Sequence, residues 1–173
     1  MKSVLISAIL ILITLIAFAQ ERNSAKSNEH FIKGQQLFAN VKYREAIDAF
    51  TKAIREDSTN TNAWIRRGFC KGLLKDFDGE MADYSKVIEI DPDHKWAYIS
   101  RGSAYNRLGK YKEAFKDFDR ALEIDPNEPE AYNNRGFTKK MTGDMEGACK
   151  DWNVSKKLGN DEAKVILKNN HCK

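Results

Sequence analysis

Four glycines, Gly34, Gly68, Gly102 and Gly136, stand 34 residues apart. A fixed period of this size, kept without insertions, marks one small structural unit repeated and stacked. Such a unit cannot bury its apolar face alone and must share it with its neighbours. With each glycine set at position 8, the units are Ser27–Asn60, Thr61–His94, Lys95–Glu128 and Pro129–Glu162. Other columns recur in phase. Position 4 holds His30, Trp64, Tyr98 and Tyr132, and position 17 holds Tyr43, Phe77, Tyr111 and Met145. Position 24 holds Phe50, Tyr84, Phe118 and Trp152, and position 27 holds Ala53, Val87, Ala121 and Ser155.

The unit reads as two helices and a turn. Tyr111, Phe115, Phe118 and Leu122 are apolar at helical spacing. Gly109 and Gly143 fall at position 15, where a left-handed helix cap favours glycine. Pro92 and Pro126, at position 32, stop the second helix because proline cannot continue it. The position-8 glycine is expected where two helices approach too closely for a side chain. Position 7 holds Lys33, Arg67, Arg101 and Arg135, while position 23 holds Ala49, Asp83, Asp117 and Asp151. Arginine at 7 always accompanies aspartate at 23. Across an antiparallel hairpin this predicts the pairs Arg67–Asp83, Arg101–Asp117 and Arg135–Asp151, or an aspartate reaching the arginine of the next unit. After the fourth unit, Leu158-Gly159-Asn160-Asp161 breaks the chain, and Ala163, Ile166 and Leu167 then predict a capping helix within 161–173.

These columns resemble the tetratricopeptide repeat family, whose units prefer an aromatic at 4, Gly at 8, small residues at 20 and 27, an aromatic at 24 and Pro at 32. The resemblance covers about residues 27–162. It implies an all-α fold, a right-handed α-solenoid of four helix-turn-helix repeats closed by the C-terminal cap. It also implies a groove lined by the first helix of each unit. In this sequence the groove positions include Phe31, Gln35, Phe38, Asn62, Ile65, Phe69, Trp96, Ser103, Asn106, Arg107, Asn133, Phe137 and Lys140. Asn106 and Asn133 stand out there as contacts for an extended backbone. Some family members clamp the carboxylate end of a chaperone with Lys and Asn. The corresponding places here are Phe31, Gln35, Arg66, Trp96 and Ser100, or Ile65, Phe69, Ser100, Glu130 and Asn134 in the other frame, and neither set matches.

Residues 1–19 read as a secretory signal peptide: a basic start at Lys2, an apolar run from Val4 to Phe18, and Ala17-Phe18-Ala19 before polar residues. The alternative is an uncleaved anchor, although the run is shorter than the roughly 20 residues that span a bilayer. Residues 20–26 are expected as a loose arm. Export predicts a periplasmic or secreted location, where disulfides persist. Cys149 lies ten residues before Gly159 and Cys172 twelve after Asn160, so the two are expected to meet as a disulfide, with free thiols or mixed pairing as the alternatives. Cys70 is expected as an unpaired core thiol. The 29 basic and 25 acidic residues are mixed along the chain, with no basic stripe of the kind nucleic-acid binders carry. His30, His94 and His171 are scattered, and there is no zinc spacing, phosphate loop or nucleophile elbow. The expectation is therefore a non-catalytic scaffold of the bacterial envelope, without cofactor or metal, that binds a protein or peptide. Two other functions compete with it. One is a self-associating protein whose groove takes an arm or end of another copy; the other is a peptide-modifying enzyme.

Overall fold

Local signals place many of the helix ends. In the computed structural model, residues 2–172 are described, with backbone alone for 2–11, 16 and 17. They form α1 (Lys2–Ala39), α2 (Tyr43–Glu56), α3 (Thr61–Leu73), α4 (Phe77–Ile90), α5 (Lys95–Arg107), α6 (Tyr111–Ile124), α7 (Pro129–Met141), α8 (Met145–Lys157) and α9 (Asp161–Asn169). Among the described residues there is no strand, so the all-α class read from the repeat is the class found. Side chains cap several N-termini: Asn60 accepts from the Ala63 amide, Asp76 from Gly79, His94 from Ala97, Asp144 from Gly147 and Asn160 from Ala163. Position 15 is left-handed in all four units, with φ of 62° at Val41, 64° at Lys75, 69° at Gly109 and 90° at Gly143. The amide three residues past each first helix bonds back to that helix's third-last carbonyl, as in Lys42 to Leu37 (3.0 Å) and Lys110 to Tyr105 (2.9 Å). Two of the four units thus make the turn without glycine, because the helix-end hydrogen bonds impose it.

The chain divides into two compact units, 1–70 and 71–173. In the first, α2 packs on α1 and on the start of α3. Phe50 is fully buried among Ala46, Cys70, Phe31, Leu37, Phe38 and Ile47. A Cβ built on Gly34 would lie 2.5 Å from the Phe50 ring, so the glycine is what lets the two helices close. Cys70 is fully buried, and burial pushes its thiol up to about 11, away from the reactive thiolate. Residues 20–26, expected to be loose, are instead helical, since α1 runs unbroken through them. The segment has no proline or glycine before Gly34 and is rich in good helix formers such as Glu21, Ala25 and Lys26. Leu12, Ile13, Leu15 and Phe18 are exposed on this stretch. Among the described residues no helix is long and apolar enough to cross a membrane.

In the second unit each helix from α4 onward packs on the next, and α5 also touches α7. Phe118 is buried among Ile99, Ala114, Ala121, Leu122 and Ala131, with Tyr98, Tyr105 and Tyr132 at the edge. A Cβ on Gly102 would meet its ring at 2.8 Å, and one on Gly136 would meet Trp152 at 2.7 Å. Arg101 forms the expected bidentate pair with Asp117 (2.8 and 2.7 Å), and Arg135 with Asp151 (2.8 and 2.9 Å). Lys139 also reaches Asp151, at 2.8 Å. Arg67 and Asp83 belong to different units; within the second unit, Asp83 pairs with Lys71 at 3.0 Å. The bridge between neighbouring repeats comes from position 25, not from the position-23 aspartates. Arg67 donates to Thr51 (3.1 Å), Arg101 to Ser85 (3.0 Å) and Arg135 to Asp119 (2.7 Å), each 16 residues away.

The helix α9 ends the series. Glycine stands eight residues after the caps Asn60, His94 and Glu128, whereas Lys168 stands eight after Asn160. Leu167 and Ile166 cover Trp152 and Ala148, and Cys172 joins Cys149 in a disulfide with Cα atoms 5.6 Å apart. On the chain-entropy account, closing that loop stabilises by about 3 kcal/mol. Reduction is therefore expected to lower the urea midpoint of the second unit. The same titration on Cys149→Ser under oxidising conditions should reproduce the drop, and an unchanged midpoint would show that the cap holds without the bridge.

Candidate functional site

The exposed polar and aromatic residues of α5 and α7 converge. The helices α5 and α7 lie side by side, so residues 103–107 of one come near residues 134–137 of the other. Ser103, Asn106 and Arg107 from α5 and Asn134 and Phe137 from α7 line an open hollow of about 330 Å³. Its floor is fixed by a hydrogen-bonded pair: the Asn106 amide donates to the Thr138 hydroxyl at 2.9 Å, and Thr138 is fully buried. Phe137 stays 45% exposed although α7 is well packed. Ser103 and Asn134 have no side-chain hydrogen-bond partner among the described residues, so a hydroxyl and a full amide remain free to bond a guest.

Arg107 is already engaged. Its guanidinium pairs with Glu80 of α4 and lies 5.0 Å from the centre of the Phe77 ring. Glu80 is only 4% exposed. Burial pushes its carboxyl above the usual range, and Arg107 pulls it part of the way back. Gly72 makes room for it, since a Cβ at residue 72 would stand 2.6 Å from the carboxyl carbon.

Of the residues expected on a groove, Ser103, Asn106, Arg107 and Phe137 come together here. Asn133 does not. It is 9% exposed and turned towards the cap, its side-chain amide 3.4 Å from Glu162, while its backbone carbonyl accepts from Trp152 at 3.1 Å. Its neighbour Asn134 takes the place instead, because successive helical residues point about 100° apart. Lys140 reaches Asn170 near the end of the cap, at 2.7 Å. Trp96 is exposed beside Lys95, whose ammonium lies 5.5 Å from its ring centre. In the first unit, Gln35 and Phe38 line a smaller hollow of about 200 Å³ with Arg66. Phe69 stacks on Phe38 at 5.7 Å and remains exposed, Asn62 is exposed and Ile65 half-buried. Phe31 belongs to the core, 5.7 Å from Phe50. Among the described residues no group of three or more His, Cys, Asp or Glu could hold a metal ion.

Comparison with known proteins shows the family of the fold. A TPR repeat profile matches residues 102–143, and tetratricopeptide repeat profiles match 83–116 and 61–94. The first TPR of Spaghetti (RPAP3), solved bound to the HSP90 peptide SRMEEVD, is 33% identical. The match covers 69% of this chain and 94% of that one, with a TM-score of 0.66. The chain belongs to the tetratricopeptide repeat family. Another similar structure is the Arabidopsis OM64 TPR domain, 28% identical over 69% of this chain and 98% of that one, with a TM-score of 0.65. MamA shares the fold at 18% identity, over 80% of this chain and 81% of that one, with a TM-score of 0.72. No curated protein matches the chain. The residues lining the hollow between α5 and α7 lie within the stretch 102–143 that the TPR repeat profile matches.

Proposed function

We propose that this tetratricopeptide repeat protein is a non-catalytic, exported scaffold that holds a polypeptide in the hollow between α5 and α7. The observation that carries the reading is the meeting of exposed Phe137 with the unpartnered Ser103 and Asn134. An aromatic anchor beside free hydrogen-bonding groups suits an extended segment. The related repeat domains solved with HSP90 and HSP70 peptides give the same direction by analogy. Export to the periplasm or beyond rests on the signal-peptide pattern of residues 1–19 and on the Cys149–Cys172 bridge.

A photo-crosslinking side chain at position 137 tests the binding surface, with one at exposed Lys150 of α8 as control. Crosslinks to polypeptide from position 137 alone are expected. Equal yields from both positions would remove the hollow as the site. Mass spectrometry of the protein recovered from its own cell should give an N-terminus at Gln20, and an intact start at Met1 would reject cleavage.

A further inference from the structure

We infer that Glu80 sets the specificity of the hollow: it neutralises Arg107 and so restricts the guest to an uncharged internal segment bearing an apolar or aromatic side chain. The inference deepens the proposed polypeptide-binding reading and rests on it. Among the described residues, the only cation lining the hollow is Arg107. A buried carboxylate is costly unless paired, so Glu80 holds the guanidinium firmly, and the Phe77 ring packs against it. Gly72, Glu80 and Arg107 come from three successive helices, α3, α4 and α5, which makes the arrangement a built one. An acidic guest would have to take Arg107 away from a carboxylate that is itself out of water. The groups left free, the Ser103 hydroxyl and the Asn134 amide, are neutral and match peptide N–H and C=O groups. The remaining wall is Phe137, which takes an apolar side chain.

The test is a selection of displayed random twelve-residue peptides on the full-length protein. One library presents them with a free C-terminus and the other presents them internally. The wild type is expected to enrich internal sequences with aromatic or aliphatic residues and no excess of Asp or Glu. Glu80→Gln, which keeps the shape and removes the negative charge, is expected to raise affinity for the acidic peptide SRMEEVD by roughly tenfold or more through the released guanidinium. Circular dichroism checks that this variant is folded, and the wild-type selection stands without it. Enrichment of acidic free C-termini by the wild type would overturn the role of Glu80 while leaving polypeptide binding in place. So would an unchanged affinity for SRMEEVD in folded Glu80→Gln. If wild type and Phe137→Ala enrich the same background peptides, the polypeptide-binding reading falls, and this inference falls with it.

Discussion

Replacing Phe118 with Ala is expected to cost about 3–5 kcal/mol, measured by urea unfolding. The ring is fully buried at the centre of the core between α5 and α7, and nothing nearby is free to fill the void. The more telling measurement is the partner substitution at Gly102. Alone, Gly102→Ala pushes a methyl to within 2.8 Å of the Phe118 ring. Overpacking of this kind costs about 1–3 kcal/mol, against a gain of about 1 kcal/mol in helix propensity. In the Phe118→Ala background the clash is gone and only the gain remains. The same substitution should therefore destabilise the wild type and stabilise the variant. An effect of one sign in both backgrounds would mean that the glycine is not there for the ring.

The second large effect is expected at the buried ion pairs. Asp117→Ala removes the bidentate partner of Arg101 and leaves the guanidinium with the Ser85 hydroxyl as its one remaining hydrogen-bond acceptor. The loss is expected to be about 3–5 kcal/mol, most of it the penalty of an uncompensated half-buried cation. Exposed pairs on the same molecule, such as Lys150 with Glu146, should cost less than about 1 kcal/mol when broken. Converting both partners, Arg101→Met with Asp117→Leu, should recover most of the loss, since the pair itself adds little beyond orientation. If the double change is as damaging as the single one, the pair is worth more than an apolar contact of its size. The fourth repeat offers a milder case, because Arg135 keeps Asp119 when Asp151 is removed.

Much of this was legible in the sequence because the repeat multiplies each signal. One Arg and one Asp say little; the covariation of Lys33 with Ala49 and of three arginines with three aspartates implied pairing across the hairpin. The position-25 column of Thr51, Ser85 and Asp119 was equally visible, and its role as the acceptor from the following repeat emerged only with the coordinates. Helix ends, turns, the cap and the cysteine partners follow from local chemistry and spacing. Residues 20–26, expected as a loose arm, lie within α1, where Glu21, Ala25 and Lys26 are good helix formers.

What the sequence alone determined about this protein is therefore the repeated hairpin and its framework, since periodicity records which face of each helix is buried. What only the tertiary structure decided is which polar residues are free. Asn133 and Asn134 are adjacent and chemically identical, yet one is turned into the cap and the other towards open space. Arg107 looks like a free cation until Glu80, 27 residues away, is found against it. Adjacent helical residues point about 100° apart, and which of the two faces open space is fixed by the packing of neighbouring helices, which no single helix encodes.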